Sequence, residues 1–332
     1  MVTYYKIGDM FCASAHGDLP YEKTEKPAAG TKLTWLFTGG PGSRASFLVN
    51  HPAELFMEKE DVSWLNTSKL NTSADDRQIK ELPAEITDRI DAGTLRAVNA
   101  SHPKFEEILA YEPKEGKKRV HVLAIGDVGS MLLTGLHLLG GDVISSIGIC
   151  DISDKVTARW EFEENQIAYP WDYDAMPEVD VVDQDHLFDC DVFVFVASKG
   201  IPPVGSGVKD VRMYQFENNS KIIGHYAKMA REKNFKGLFC AVSDPVDPLA
   251  KTAFLESNKN EAGEYDWMGL LPEQIQGFGL GVMNARAAYY AKRDPRFKQF
   301  LTEGRQSLEF DWLWSSARTG SRYRGFHRKL QR

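Results

Sequence analysis

The chain has 332 residues, of which 42% are apolar and 26% charged, with a net charge of −7 at pH 7. This describes a soluble globular protein of about two domains with enough apolar material for a sizeable core. The mildly acidic balance gives no basis for binding nucleic acid or an anionic membrane, and runs such as Val192 to Ala197 are strand-sized, far too short to span a bilayer.

The opening Met1-Val2-Thr3-Tyr4-Tyr5-Lys6 has no apolar core of a signal peptide. The cysteines Cys12, Cys150, Cys190 and Cys240 lie far apart and form no CxxC pair. Buried reduced thiols in a cytoplasmic protein are therefore favoured over disulfides or a metal site. No His, Cys and Asp spacing suggests a metal centre.

Residues 1 to about 115 show one apolar strand candidate, Leu33 to Phe37, closed by Thr38-Gly39-Gly40-Pro41-Gly42. That glycine cluster reads as a plain turn rather than a phosphate loop, because no helix-forming run or Gly-Lys-Ser/Thr ending follows it. A polar stretch, Asn66 to Arg77, precedes two helix candidates, Pro83 to Ile90 and Pro103 to Ala110, the second with Ser101 placed to cap its start. Glu112 to Lys118 is charged, breaks helices and reads as a linker. The pattern then changes. Val120 to Ile125 is a nearly continuous apolar run, as a strand buried on both faces requires. Val128 to Leu139 has helical spacing, followed by strand candidates at Ser146 to Cys150, Glu178 to Val182 and Val192 to Ala197. Met213 to Lys233 suits one helix or a broken pair, with further strands at Gly237 to Val242 and Gln274 to Phe278. This alternation predicts an α/β fold with a Rossmann-type, doubly wound parallel sheet.

The segment Ala124-Ile125-Gly126-Asp127-Val128-Gly129-Ser130 joins the first of these strands to the first helix. Glycines allow a sharp turn and close approach of a pyrophosphate, while the helix start offers unpaired amides and a positive dipole end. Ala124 replaces the first glycine, which is compatible with the turn if its φ is negative. Asp151, about 22 residues past Gly129, ends the second strand. A carboxylate there accepts hydrogen bonds from both ribose hydroxyls and repels a 2′-phosphate, which points to NAD rather than NADP; the other reading is a turn or cap residue beside Ser153 and Asp154.

Beyond this point the residues resemble the lactate/malate dehydrogenase family. Asp189 to Ser198 resembles its strand ending in Ala-Gly, Ala241-Val242-Ser243-Asp244-Pro245-Val246-Asp247 its "vsNPVD" turn, and Pro272 to Arg286 the stretch leading to its "LDsaR" segment. The resemblance covers roughly residues 118 to 305. It implies hydride transfer between NAD and a 2-hydroxy or 2-oxo acid, and it places Ala197, Ser198 and Asp244 beside the cofactor. Arg286 falls on the arginine that grips the substrate carboxylate, although a surface helix arginine is the alternative. Arg212 is the candidate for the carbonyl-polarising arginine of the mobile loop, or else a solvated charge at a helix start.

Other positions depart from the family. Met283 stands where its aspartate should orient a histidine, and Asp244 replaces the asparagine of "NPVD". The catalytic histidine should fall near Phe310, where no His-Gly follows; an altered tail after Arg305 or a divergent protein would account for this. His121 and His137 read as structural. The expected organisation is an N-terminal region (1–116), an NAD-binding domain (117–255), the start of a substrate domain that is incomplete (256–305) and a divergent tail (306–332). A homo-oligomer is expected by resemblance. The expected function is an NAD-dependent 2-hydroxy acid dehydrogenase with little or no turnover in this form. The rivals are a non-catalytic NAD-binding or regulatory protein and a methyltransferase using S-adenosylmethionine.

Overall fold

A computed structural model describes residues 2–28, 30–56, 81–203 and 205–295. It divides into two compact units, Met1–Tyr111 with Asn284–Arg332, and Glu112–Met283.

Among its described residues the first unit holds six strands, where the sequence offered one apolar candidate: β1 (Thr3–Ile7), β2 (Met10–Ser14), β3 (Glu22–Thr24), β4 (Leu33–Phe37), β5 (Ser46–Leu48) and β6 (Arg96–Asn99). Their order is β3-β1-β2-β4-β6-β5, with β2, β4 and β6 parallel neighbours and the other pairings antiparallel. The missed strands are three to five residues long and carry polar side chains among or in place of apolar ones, so only β4, apolar but for Thr34, stood out. Helix α1 (Ala84–Asp91) sends Ile86 and Ile90 into a core with Leu33, Trp35, Leu95 and Ala97. Helix α2 (Phe105–Ala110) buries Phe105, Ile108 and Leu109. Ser101 does not cap α2, which starts four residues later. The Ser101 amide instead donates to Asn99 Oδ1 at 3.0 Å, and the His102 ring, through Nδ1, accepts from the Lys104 amide at 3.1 Å. The polar stretch Asn66 to Arg77 lies outside the described residues.

The second unit is a six-stranded, wholly parallel sheet: β7 (Lys118–Leu123), β8 (Ile144–Cys150), β9 (Glu178–Val181), β10 (Val192–Phe195), β11 (Leu238–Ala241) and β12 (Ile275–Gly277). The order is β12-β11-β10-β7-β8-β9, that of a doubly wound dinucleotide-binding sheet. Alternation along the strands sorts the core. Val120, Val122, Ile147, Ile149 and Val194 face α3 (Asp127–Leu139) and α4 (Asp154–Glu164), where Leu133 and Trp160 pack on them. Leu123, Phe193, Phe195 and Phe239 face α5 (Val211–Glu232) and α6 (Val246–Ser257), meeting Ile223, Ala227 and Leu249. Helix α5 is one unbroken element. Helix α7 (Leu280–Ala291) follows β12. Buried His121 and His137 are structural: each ring reaches a backbone carbonyl, Leu187 O at 2.8 Å and Pro177 O at 2.9 Å.

Candidate functional site

Parallel strands in register bring their carboxyl ends to one edge. Cys150, Leu123, Phe195, Ala241 and Gly277 form a single row across β8, β7, β10, β11 and β12. The residues that follow them therefore share that edge: Asp151, the turn from Ala124, Ala197 and Ser198, and Ser243 and Asp244. Apart from Ser243, these are the positions the sequence singled out for a cofactor.

The turn is tightly determined. Ala124 has a φ of +75°, so the expectation of a negative φ is corrected. It adopts the left-handed conformation that a glycine would take without steric cost. Its amide donates to Cys150 O at 2.8 Å, which holds the turn against the neighbouring strand. Gly126 caps α3 with no side-chain hydrogen bond, and no atom lies within 4 Å of where its Cβ would be. The first amides of α3, from Asp127 to Gly129, thus lack a side-chain acceptor, and the next, that of Ser130, returns to Gly126 O. Gly129 has the opposite environment: a Cβ there would sit 2.1 Å from the Ala124 carbonyl oxygen. Only glycine lets helix and turn approach so closely.

Asp151 faces this turn. Its Oδ2 accepts from the Ile125 amide at 2.8 Å and its Oδ1 from the Ser153 amide at 3.0 Å. Each oxygen keeps a lone pair for a further donor. The next residue, Ile152, is 97% exposed and offers an apolar surface beside the carboxylate. This suits a flat apolar ring, a feature the sequence reading missed.

A second missed residue organises the other half of the edge. Asn219, fully buried on α5, accepts from the Lys199 amide at 2.9 Å and donates to Ser198 Oγ at 3.2 Å and to Asp244 O at 2.8 Å. One amide side chain therefore ties the loop after β10 to the loop after β11. The signal was legible: Gln215, Asn219, Ile223 and Ala227 fall every four residues on the buried stripe of α5, and a polar residue there must have a local partner. Ser243, also buried, has a hydroxyl with no hydrogen-bond partner among the described residues. Asp244 is exposed, and its peptide to Pro245 is cis.

The substrate-side candidates are less assembled. Arg212 is exposed in the first turn of α5, which Asp210 caps by accepting from the Met213 amide. Arg286 is exposed on α7 in the portion grouped with the first unit, and Met283 is exposed one turn earlier. Among the described residues no cluster of His, Cys, Asp and Glu could hold a metal, and no helix is long and apolar enough to cross a membrane.

No protein-family model matches the chain. An L-lactate dehydrogenase of Mycoplasma mobile is 29% identical over 134 residues, covering 40% of this chain and 39% of that protein. The chain thus matches well under half the length of this curated relative. Among solved structures, the minor L-lactate dehydrogenase of Enterococcus mundtii aligns at 15% identity and a TM-score of 0.43, over 65% of this chain and 73% of its own. The malate dehydrogenase of Picrophilus torridus aligns at 17% identity and a TM-score of 0.40, over 53% and 51%.

Proposed function

Proceeding from a chain related to the lactate/malate dehydrogenases, we propose that the carboxyl edge of the second unit binds NAD. The carrying observation is the pairing of the Gly126–Gly129 turn with the Asp151 carboxylate, joined through the Ile125 amide at 2.8 Å. The residues fit the dinucleotide. The bare amides of α3 suit a pyrophosphate, and a Cβ on residue 129 would push the helix off the turn. Asp151 would accept from the adenosine ribose hydroxyls, and exposed Ile152 would offer an apolar surface to the base. Asn219 fixes Ser198 and Asp244 for the other half of the cofactor, and the unpaired Ser243 hydroxyl awaits a polar partner. When bound, NAD supplies the carbon that gives or takes a hydride.

We further propose that the chemistry served is that of a 2-hydroxy or 2-oxo acid, with Arg286 holding the carboxylate and Arg212 polarising the carbonyl. Proton transfer is where this chain is weakest. Met283 cannot orient a histidine, and the exposed Asp244 carboxylate repels an anionic substrate. Those two residues favour a second reading, a non-catalytic NAD-binding or regulatory protein on the same fold.

The proposed setting is cytoplasmic, with a small-molecule partner and a homo-oligomeric state. The test has two parts. NADH fluorescence should change saturably on adding protein, and addition of pyruvate or oxaloacetate should cause little or no loss of NADH absorbance. Absence of a saturable change removes the NAD reading; brisk turnover removes the inactivity and the second reading with it.

A further inference from the structure

The first unit has its own edge of parallel strand ends. Strands β2, β4 and β6 finish side by side at Ser14, Phe37 and Asn99. Ligands of α/β sheets gather outside such carboxyl ends. The three loops that follow are tied to one another by buried polar groups, as in the second unit. Asn99, fully buried, accepts from the Gly39 and Ser101 amides at 3.0 Å each and donates to Gly40 O at 3.2 Å. It does for these loops what Asn219 does for those of the dinucleotide edge. A Cβ on Gly39 would crowd the Asn99 amide at 3.1 Å and the Phe37 ring at 3.2 Å.

The loop after β2 is fixed with equal care. Fully buried Ser14 accepts from the His16 amide at 3.0 Å and donates to Leu36 O at 2.8 Å. Fully buried Tyr5 donates from its hydroxyl to His16 O at 2.7 Å. The exposed His16 ring then meets Thr38 Oγ1, 3.2 Å from Nε2. Two buried side chains thus place one solvent-facing imidazole beside the glycine loop. A plain turn does not require that.

What this edge offers is mostly donors. Gly40 and Gly42 are exposed glycines flanking Pro41, and Thr38, Ser43 and Ser101 add hydroxyls. In the loops 15–21, 38–45 and 100–104 the acidic side chain is Asp18, against Arg44, Lys104 and the exposed His16; buried His102 stays neutral. Such a field selects an oxyanion over a cation.

We propose that this edge is a second ligand site, which takes the phosphate group of a phosphorylated small molecule through the Gly39–Ser43 loop, Thr38 and His16. The test is an amide-resolved NMR titration of the full chain with inorganic phosphate. Saturable shifts are expected at Gly40 and Gly42. Affinity should fall by roughly tenfold or more in the Thr38→Val/Ser43→Ala double variant and again in His16→Asn, with thermal midpoints unchanged. Shifts that are absent, that are confined to residues 126–129, or that persist undiminished in both variants would overturn the proposal. The dinucleotide reading is scored separately, by the amides of residues 126–129 on addition of NADH.

Discussion

Two alanine–glycine positions five residues apart make opposite demands. Ala124 holds a φ of +75°, which costs a residue with a Cβ about 1 kcal/mol. Gly129 has no room for a Cβ at all, with the Ala124 oxygen 2.1 Å away. We therefore expect Ala124→Gly to raise the thermal midpoint slightly and Gly129→Ala to destabilise by about 1–3 kcal/mol; thermal unfolding of the two variants reads both signs. Ser243 makes a related case. A buried hydroxyl without a partner costs about 1–3 kcal/mol, so Ser243→Ala should stabilise the free protein while weakening NADH binding. A variant less stable than the parent would show that the hydroxyl is already satisfied. His102 predicts the acid response of the first unit. Burial, with Lys104 adding repulsion, pulls its pKa from 6.5 to about 4. The unfolded chain therefore binds this proton first, and stability present above pH 6.5 is lost as pH falls toward 4. His102→Asn, which keeps an acceptor for the Lys104 amide, should flatten that slope in denaturant titrations.

At the scale of elements, the apolar strands were legible because burial on both faces leaves an unbroken apolar run, while Met213 to Lys233 suited one helix or a broken pair by its length. The strands β1, β2, β3, β5 and β6 were not, since polar side chains interrupt or replace the apolar run in each, and β5 pairs with β6 far along the chain. The edge proposed for the cofactor was legible in part. Glycine turns and a strand-end carboxylate carry a local pattern, whereas Asn219 acts on residues about twenty positions away on each side. Its role belongs to the packing of α5 against two loops. Asn219→Ala would leave the Lys199 amide and the Asp244 carbonyl unpaired, at a cost of about 2–3 kcal/mol. It should also weaken NADH binding. Glu217→Ala, on the exposed side of the same helix, should do neither, and comparing the two by denaturation and NADH titration separates a clamp from a generic helix effect.

For the whole molecule, two α/β units repeat one device: parallel strand ends, a glycine loop and a buried asparagine that ties the loops together. In the second unit that edge is the one proposed to take a dinucleotide, on a chain that is 29% identical over 134 residues to an L-lactate dehydrogenase. Function rests on whether the Asp151 carboxylate meets a ribose beside the Gly126 turn. The most direct measurement is calorimetric titration of the full chain with NADH and with NADPH, in the parent and in Asp151→Asn. The account predicts saturable heat for NADH, affinity for NADPH lower by roughly tenfold or more, and a narrowed gap in Asp151→Asn. No heat from NADH, or equal affinity for the two cofactors in the parent, would contradict it.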